Sequence, residues 1–204
     1  MKILLIKPPR NPNLVTTSLY EPLELEYLAA SVPDHDVHIL DMRIDKDLFR
    51  ELYEFRPELA GITSYTCDYN VVIKILKGIR KFDSKIVTVV GGNHATFLPH
   101  DFVIPEIDFI FMGYADSSFP SFVRYLNYPD ELRKIPNIAQ VRNNNVFFTQ
   151  KENEKQELDK LPFPARQLTA KYRKFYHDPV RNKIALVMTS RGCPFTCSFC
   201  ACWK

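Results

Sequence analysis

Ile86-Val87-Thr88-Val89-Val90-Gly91-Gly92-Asn93-His94-Ala95-Thr96 is the stretch that decides the fold. Ile86 to Val90 form a short, near-continuous apolar run rich in β-branched residues, the pattern of a strand buried in a parallel sheet. The two glycines directly after it let the backbone approach a ligand closely and leave amide donors exposed. Such a loop suits a phosphate, an amide side chain or the edge of a flat macrocycle. It lacks the spacing of a dinucleotide fingerprint or a Walker loop, so the glycine pair alone does not name the ligand.

Working outward, similar runs stand at Ile3–Ile6, Val37–Leu40, Leu59–Thr63 and Phe109–Met112, and helical patterns lie between them. The alternation predicts β-α-β units. From Asp68 onward, Tyr69, Val72, Ile73, Leu76 and Ile79 share one helix face, with Lys74, Lys77 and Lys81 opposite as a solvated stripe. Pro22 suits a helix start after the Thr16–Tyr20 loop, and Pro33 and Pro57 close the first two helices. Five apolar strands with helical crossovers predict an α/β fold, a doubly wound five-stranded parallel sheet of flavodoxin-like type. Ligands of such sheets bind beyond the carboxyl ends of the strands. The loops expected there are Pro8-Pro9-Arg10-Asn11, Ser64-Tyr65-Thr66, Gly91 to Thr96, and Gly113-Tyr114-Ala115-Asp116.

The 204 residues, 46% hydrophobic and 25% charged, describe an ordinary globular chain with one full domain and part of another. A net charge of +3 is too mild to call for a nucleic acid or a membrane surface as partner. Ile3–Ile6 is far shorter than a signal segment or a membrane span, so the reading places the protein in the cytoplasm, where thiols stay reduced.

After Tyr128 the character changes. Ile138-Ala139-Gln140-Val141 and Val146-Phe147-Phe148 flank Arg142-Asn143-Asn144-Asn145, which reads as a hairpin turn. Lys151 to Lys160 is almost wholly polar, and Leu161-Pro162-Phe163-Pro164 makes a semi-rigid linker. Lys171-Tyr172-Arg173-Lys174-Phe175-Tyr176-His177 interleaves basic and aromatic residues in a way that could serve RNA stacking. A linker helix packing its aromatics is the preferred reading, because one short patch on a mildly basic chain is thin support. The division expected is residues 1–128 for the sheet domain, 129–180 for hairpin and linker, and 181–204 for the start of a second domain.

That second domain opens with Ile184–Met188, an apolar run read as a buried strand, and leads through Thr189-Ser190-Arg191-Gly192-Cys193-Pro194 to Cys197 and Cys200. A [4Fe–4S] cluster wants four thiolates. Cys193, Cys197 and Cys200 offer three from one compact loop and leave one iron open. Cys202 could instead complete a four-sulfur zinc set, although the paired Cys-x2-Cys halves usual for zinc are missing. Cys67 is distant and reads as a small buried or idle thiol.

With its Cys-x3-Cys-x2-Cys spacing, the TSRGCP lead-in and Phe199 before the last cysteine, the loop resembles that of radical S-adenosylmethionine enzymes. A sheet carrying Gly91-Gly92-Asn93-His94-Ala95 after its fourth strand, then a linker and a cluster loop, is similar to the cobalamin-binding branch of those enzymes. The resemblance covers essentially the whole chain. It implies that Cys193, Cys197 and Cys200 hold the cluster and that Gly91, Gly92, His94, Ser64, Thr66, Gly113 and Asp116 line the face where the corrin sits. Relatives carry a more acidic fifth loop, so here the acidic contact falls to Asp116 alone. Asp36-Val37-His38-Ile39-Leu40-Asp41 begins like the Asp-x-His-x-x-Gly motif that ligates cobalt, but it ends in Asp41. It also sets His38 inside a strand, so a satisfied strand histidine is expected and the cobalamin would lack that ligand.

The implied chemistry is reductive cleavage of S-adenosylmethionine to a 5′-deoxyadenosyl radical, then radical methylation or oxidative cyclisation of an organic substrate assisted by cobalamin. The implied partners are a small-molecule, lipid or tetrapyrrole-like substrate and a reductant such as flavodoxin or ferredoxin. Trp203 and Lys204 after the loop lean toward the porphyrin-ring cyclases and hopanoid methylases. A barrel needs on the order of 150–200 residues beyond its cluster loop, so the chain reads as a fragment or truncation that is inactive alone. Two other classes fit the residues: a non-catalytic flavodoxin-like cofactor-binding module, and a zinc-stabilised interaction protein.

Overall fold

A computed structural model describes residues 1–10, 18–152, 157–180 and 184–200. The strands are β1 (Lys2–Lys7), β2 (Asp36–Asp41), β3 (Leu59–Thr63), β4 (Val87–Gly91), β5 (Phe109–Phe111), β6 (Ile138–Arg142) and β7 (Asn145–Phe148). They form a single sheet in the order β2-β1-β3-β4-β5-β6-β7. The first five run parallel, with Ile3 opposite both Val37 and Leu59, Val89 beside Gly61, and Ile110 beside Val90. This is the expected flavodoxin-like arrangement, with its switch point between β1 and β3.

The helices are α1 (Leu23–Ala30), α2 (Leu48–Phe55), α3 (Tyr69–Phe82), α4 (Asn93–Phe97), α5 (Ser118–Tyr125) and α6 (Pro129–Leu132). Because β1 lies between β2 and β3 with helices over both faces, Ile3, Leu4, Leu5 and Ile6 are all wholly buried and alternate between two cores. Leu4 and Ile6 pack with Leu52, Val72, Leu76 and Ile79 of α2 and α3. On the opposite face, Ile3 and Leu5 pack with Leu25, Ala29, Phe119 and Phe122 of α1 and α5. Helices therefore cover both faces, as a parallel sheet requires. In α3 the predicted lysines 74, 77 and 81 are exposed, and Val72, Leu76 and Ile79 are buried.

The hairpin forms where the asparagines predict it. Asn143 and Asn144 both take positive φ, 49° and 59°, the pair of left-handed residues that a tight primed turn needs. Its destination was not legible: β6 pairs antiparallel with β5, Ile110 opposite Ala139, so the hairpin extends the five-stranded sheet to seven.

The linker aromatics also pack as expected. Arg166–Phe175 is a 3-10 helix lying against α1 and β2, with Tyr172 and Tyr176 buried. Its Ala165 amide donates to the Glu26 carbonyl, and the Thr169 hydroxyl donates to the Glu26 carboxylate. Glu26 is wholly buried, and its second carboxylate oxygen has no hydrogen-bond partner. Desolvation pushes the Glu26 carboxyl up; the Thr169 hydrogen bond opposes this and the Glu21 charge adds to it. The folded chain thus holds that proton more tightly than the unfolded one. The resulting stability is fully present below the ordinary carboxylate value and is lost as pH rises through the higher folded value. Glu26→Gln is expected to raise the urea midpoint at about pH 8, with the advantage vanishing below about pH 4, where the wild-type carboxyl is already neutral. Unequal midpoints at the acid end would contradict this.

Ile184–Met188 departs from expectation. It is neither a strand nor buried; Ala185 and Val187 are exposed, and no strand among the described residues pairs with it. A strand needs a partner ladder, and side chains supply the substitute: the Leu186 amide donates to Glu21 at 2.8 Å and its carbonyl accepts from Arg166, which itself pairs with Glu21. No helix among the described residues is long and apolar enough to cross a membrane.

Candidate functional site

The carboxyl ends of β1, β3, β4 and β5 meet at one edge, and their loops are laced together there. β4 ends at Gly91, and the Ser64 amide donates to the Gly91 carbonyl at 2.8 Å. The His94 amide returns to the Ser64 carbonyl at 3.0 Å. Gly92 makes this closeness possible. Its φ is +93°, and a Cβ there would lie 2.7 Å from Thr63 Oγ1 and 2.8 and 2.9 Å from the Ser64 backbone. Thr96 carries the lacing onward: its hydroxyl donates to the Gly92 carbonyl and accepts from the Gly113 amide, each at 2.9 Å.

Below this edge, on the α1 and α5 side, lies a mainly apolar cavity of about 360 Å³, within the size range of small-molecule sites. Leu5, Gly61, Val89 and Phe111 form its floor, and Leu28 and Phe119 stand on its walls. Gly61 keeps the floor low, since a Cβ would press on Leu5 and Val89 at 3.1 and 3.2 Å. Gly91, Gly92, Asn93 and Gly113 to Asp116 rim it, and Met188 and Arg191 reach over from the cysteine segment. Around Gly113 nothing lies within 4 Å of a Cβ position, so the fifth loop is open.

The expected site residues divide. Gly91, Gly92, Gly113 and Asp116 line the cavity; Ser64, Thr66 and His94 do not. Ser64 is wholly buried in the lacing. His94 is 3% exposed, and its Nδ1 lies 3.0 Å from Thr66 Oγ1. Its Nε2 lies 3.1 Å from Asp101 in a poorly aligned contact, and its ring packs against Tyr69 and Phe102. In this structure it braces the loops. His38 is the satisfied strand histidine: Nδ1 is 2.7 Å from Glu51 and the ring stacks on Phe55 at 3.7 Å.

Two charged pairs flank the mouth. Lys7, 8% exposed at the end of β1, pairs with Glu24 and sits 4.9 Å over the Tyr65 ring. Arg191 holds Asp116 in a two-point clasp, 2.6 and 3.1 Å, both side chains 9% exposed. Tyr65 belongs to the expected Ser64-Tyr65-Thr66 loop, whereas nothing in the local sequence marks Lys7 for a place at the mouth. The glycine inside the Leu59–Thr63 run was a usable signal for Gly61, since such a residue marks close approach. Arg191 carried no comparable signal.

Cys193 and Cys197 are exposed and Cys200 half-buried, with a turn bond from the Cys200 amide to the Cys197 carbonyl at 3.1 Å. Their thiols suit a three-ligand cluster by donor chemistry. Among the described residues, no three His, Cys, Asp or Glu side chains converge on a common metal position. Cys67 is an exposed thiol. Cys202, Trp203 and Lys204 lie outside the described residues.

A family model described as the B12 binding domain matches residues 13–123. An "uncharacterized methyltransferase" of Pyrococcus horikoshii is 34% identical over 98% of this chain and 45% of its own length. The anaerobic magnesium-protoporphyrin IX monomethyl ester cyclase of Cereibacter sphaeroides is 26% identical over 83% of this chain and 29% of its own length. Among solved structures, the cobalamin-dependent S-adenosylmethionine radical enzyme OxsB, with aqua-cobalamin and S-adenosylmethionine bound, superposes with a TM-score of 0.77. That match has 17% identity and covers 98% of this chain and 28% of OxsB, a likeness of fold. The chain spans less than half the length of these curated relatives.

Proposed function

This chain belongs to the B12-binding domain family, and from that membership we propose that its sheet edge holds cobalamin in the amino-terminal part of a radical S-adenosylmethionine enzyme. The observation that carries this reading is the glycine-rimmed edge over an apolar cavity of about 360 Å³. The residues fit the group. Gly113 leaves open room for a large planar face. The apolar floor suits a flat aromatic group of the cofactor, and none of the chain's five histidines lines the cavity.

In this reading Gly91, Gly92, Gly113 and Asp116 form the cofactor rim. Ser64, Thr66 and His94 hold that rim in shape through the loop lacing. Cys193, Cys197 and Cys200 hold a [4Fe–4S] cluster with one open iron. When bound, the cluster and S-adenosylmethionine supply one-electron radical generation, and cobalamin supplies methyl transfer or redox assistance. The chain's own residues would bind, orient and shield: the apolar α1 and α5 walls would keep water out of the cavity, and Gly92 sets the height of the rim. The full protein would methylate or oxidatively cyclise a small organic or tetrapyrrole-like substrate, drawing electrons from a flavodoxin-like or ferredoxin-like reductant.

The test is titration of the chain with aquacobalamin, followed by anaerobic reconstitution with iron and sulfide and EPR with and without S-adenosylmethionine. Saturable one-to-one cobalamin binding is expected, together with an iron–sulfur signal that disappears when Cys193, Cys197 and Cys200 are all alanine. Failure to bind cobalamin would remove the cofactor assignment. Cobalamin binding with no cluster would favour a cofactor-binding module.

A further inference from the structure

Arg191 stands two residues before Cys193, yet its side chain belongs to the cofactor edge. Its Nη1 and Nη2 donate to the two carboxylate oxygens of Asp116, and its Nε lies 3.4 Å from Met188 Sδ. The guanidinium is 4.5 Å from the Tyr114 ring centre and 5.8 Å from that of Tyr27. A planar cation held by a matching carboxylate and stacked on an aromatic face has one defined position. Two observations give that position a consequence. Both Arg191 and Asp116 line the cavity, so an occupant of the cavity meets the clasp itself. And Gly192, φ +75° in open space, is a pivot directly between the clasped residue and Cys193.

We infer that Arg191 is a positioning residue that registers the cysteine loop against the cofactor edge, so that filling the cavity and ordering the segment before Cys193 are energetically coupled. The coupled part of this inference rests on the cobalamin reading; the anchoring part does not. Upstream, the segment is tied at Leu186 by Glu21 and Arg166. Arg191 is the second tie, and with both made the backbone between them is held over the cavity. Coupling of this kind is reciprocal: whatever orders the segment tightens the cofactor, and the cofactor orders the segment.

Hydrogen–deuterium exchange of the whole chain, with and without aquacobalamin, tests both parts. In the free chain, Asp116→Asn and Arg191→Met are expected to speed exchange across residues 186–192 while leaving β1 and β3 unchanged. Arg191→Lys keeps the charge and loses the fork, and should fall between the wild type and Arg191→Met. Cobalamin should slow that segment in the wild type and not in Asp116→Asn, whose cobalamin affinity should fall by about tenfold. The double variant should be no worse than the poorer single. Equal exchange of the segment in wild type, Arg191→Lys and Asp116→Asn would overturn the anchoring. Cobalamin binding that leaves the wild-type segment unprotected would overturn the coupling. If the wild type binds no cobalamin, the cofactor reading and the coupling fall together, and the free-chain comparison still decides the anchoring.

Discussion

Gly92→Ala is expected to destabilise the chain by about 3–5 kcal/mol, summing backbone strain and lost hydrogen bonds, and to abolish cofactor binding. With φ +93° and ψ −175°, Gly92 occupies a region that side-chain-bearing residues enter at a cost of about 1–3 kcal/mol. The new methyl would also meet Ser64 backbone atoms at 2.8 and 2.9 Å, which cannot rotate away. The β3 and β4 loops must separate, loosening the bonds from Ser64 to Gly91 and from His94 to Ser64, each contributing about 1 kcal/mol. Gly113→Ala separates the two causes. Its φ is +73°, but nothing lies within 4 Å, so only the left-handed cost of about 1–2 kcal/mol remains. Urea unfolding of both variants, read at constant m, checks this. Equal losses would mean that the clash is relieved.

Asp41→Ala should cost a similar amount by another route. Asp41 is wholly buried at the end of β2, where Arg43 grips it through Nε at 2.8 Å and Nη2 at 2.6 Å and the Tyr176 hydroxyl donates to it at 3.1 Å. Burial first, then the Asp41 charge, pushes the Tyr176 hydroxyl far up, so it remains a donor at any working pH. Removing the carboxylate leaves Arg43 largely buried without its anion, a loss of about 3–5 kcal/mol. It also frees the linker aromatics from β2, so proteolysis near residues 166–180 should accelerate. Tyr176→Phe removes one neutral donor to a charge and should cost only about 1.5–3 kcal/mol. Asp41→Ala/Arg43→Met should be milder than Asp41→Ala alone, because no orphaned charge remains. A double variant as unstable as the sum of its parts would show that packing outweighs the ion pair.

Much of this architecture was readable along the chain. The strand runs, the lysine-striped α3 and the asparagine turn are local patterns, set by side-chain periodicity and by residues that accept positive φ. Gly91-Gly92 could be located as a close-approach loop for the same reason. His94 could not be placed, because a histidine after such a loop can face the ligand or brace the rim, and Tyr69, Phe102 and Asp101 decide which. Ile184–Met188 misled because an apolar run reports a tendency to pair, and pairing needs a partner strand.

By itself the sequence determined the five parallel strands with their helical crossovers, the hairpin turn, the glycine rim and a cysteine spacing suited to a cluster with one open iron. Each depends on residues near one another in the chain. Tertiary structure alone decided that the hairpin continues the sheet and that Asp116 meets Arg191 across 75 residues. These contacts arise from which faces the folded sheet brings together, a relation that no local period encodes.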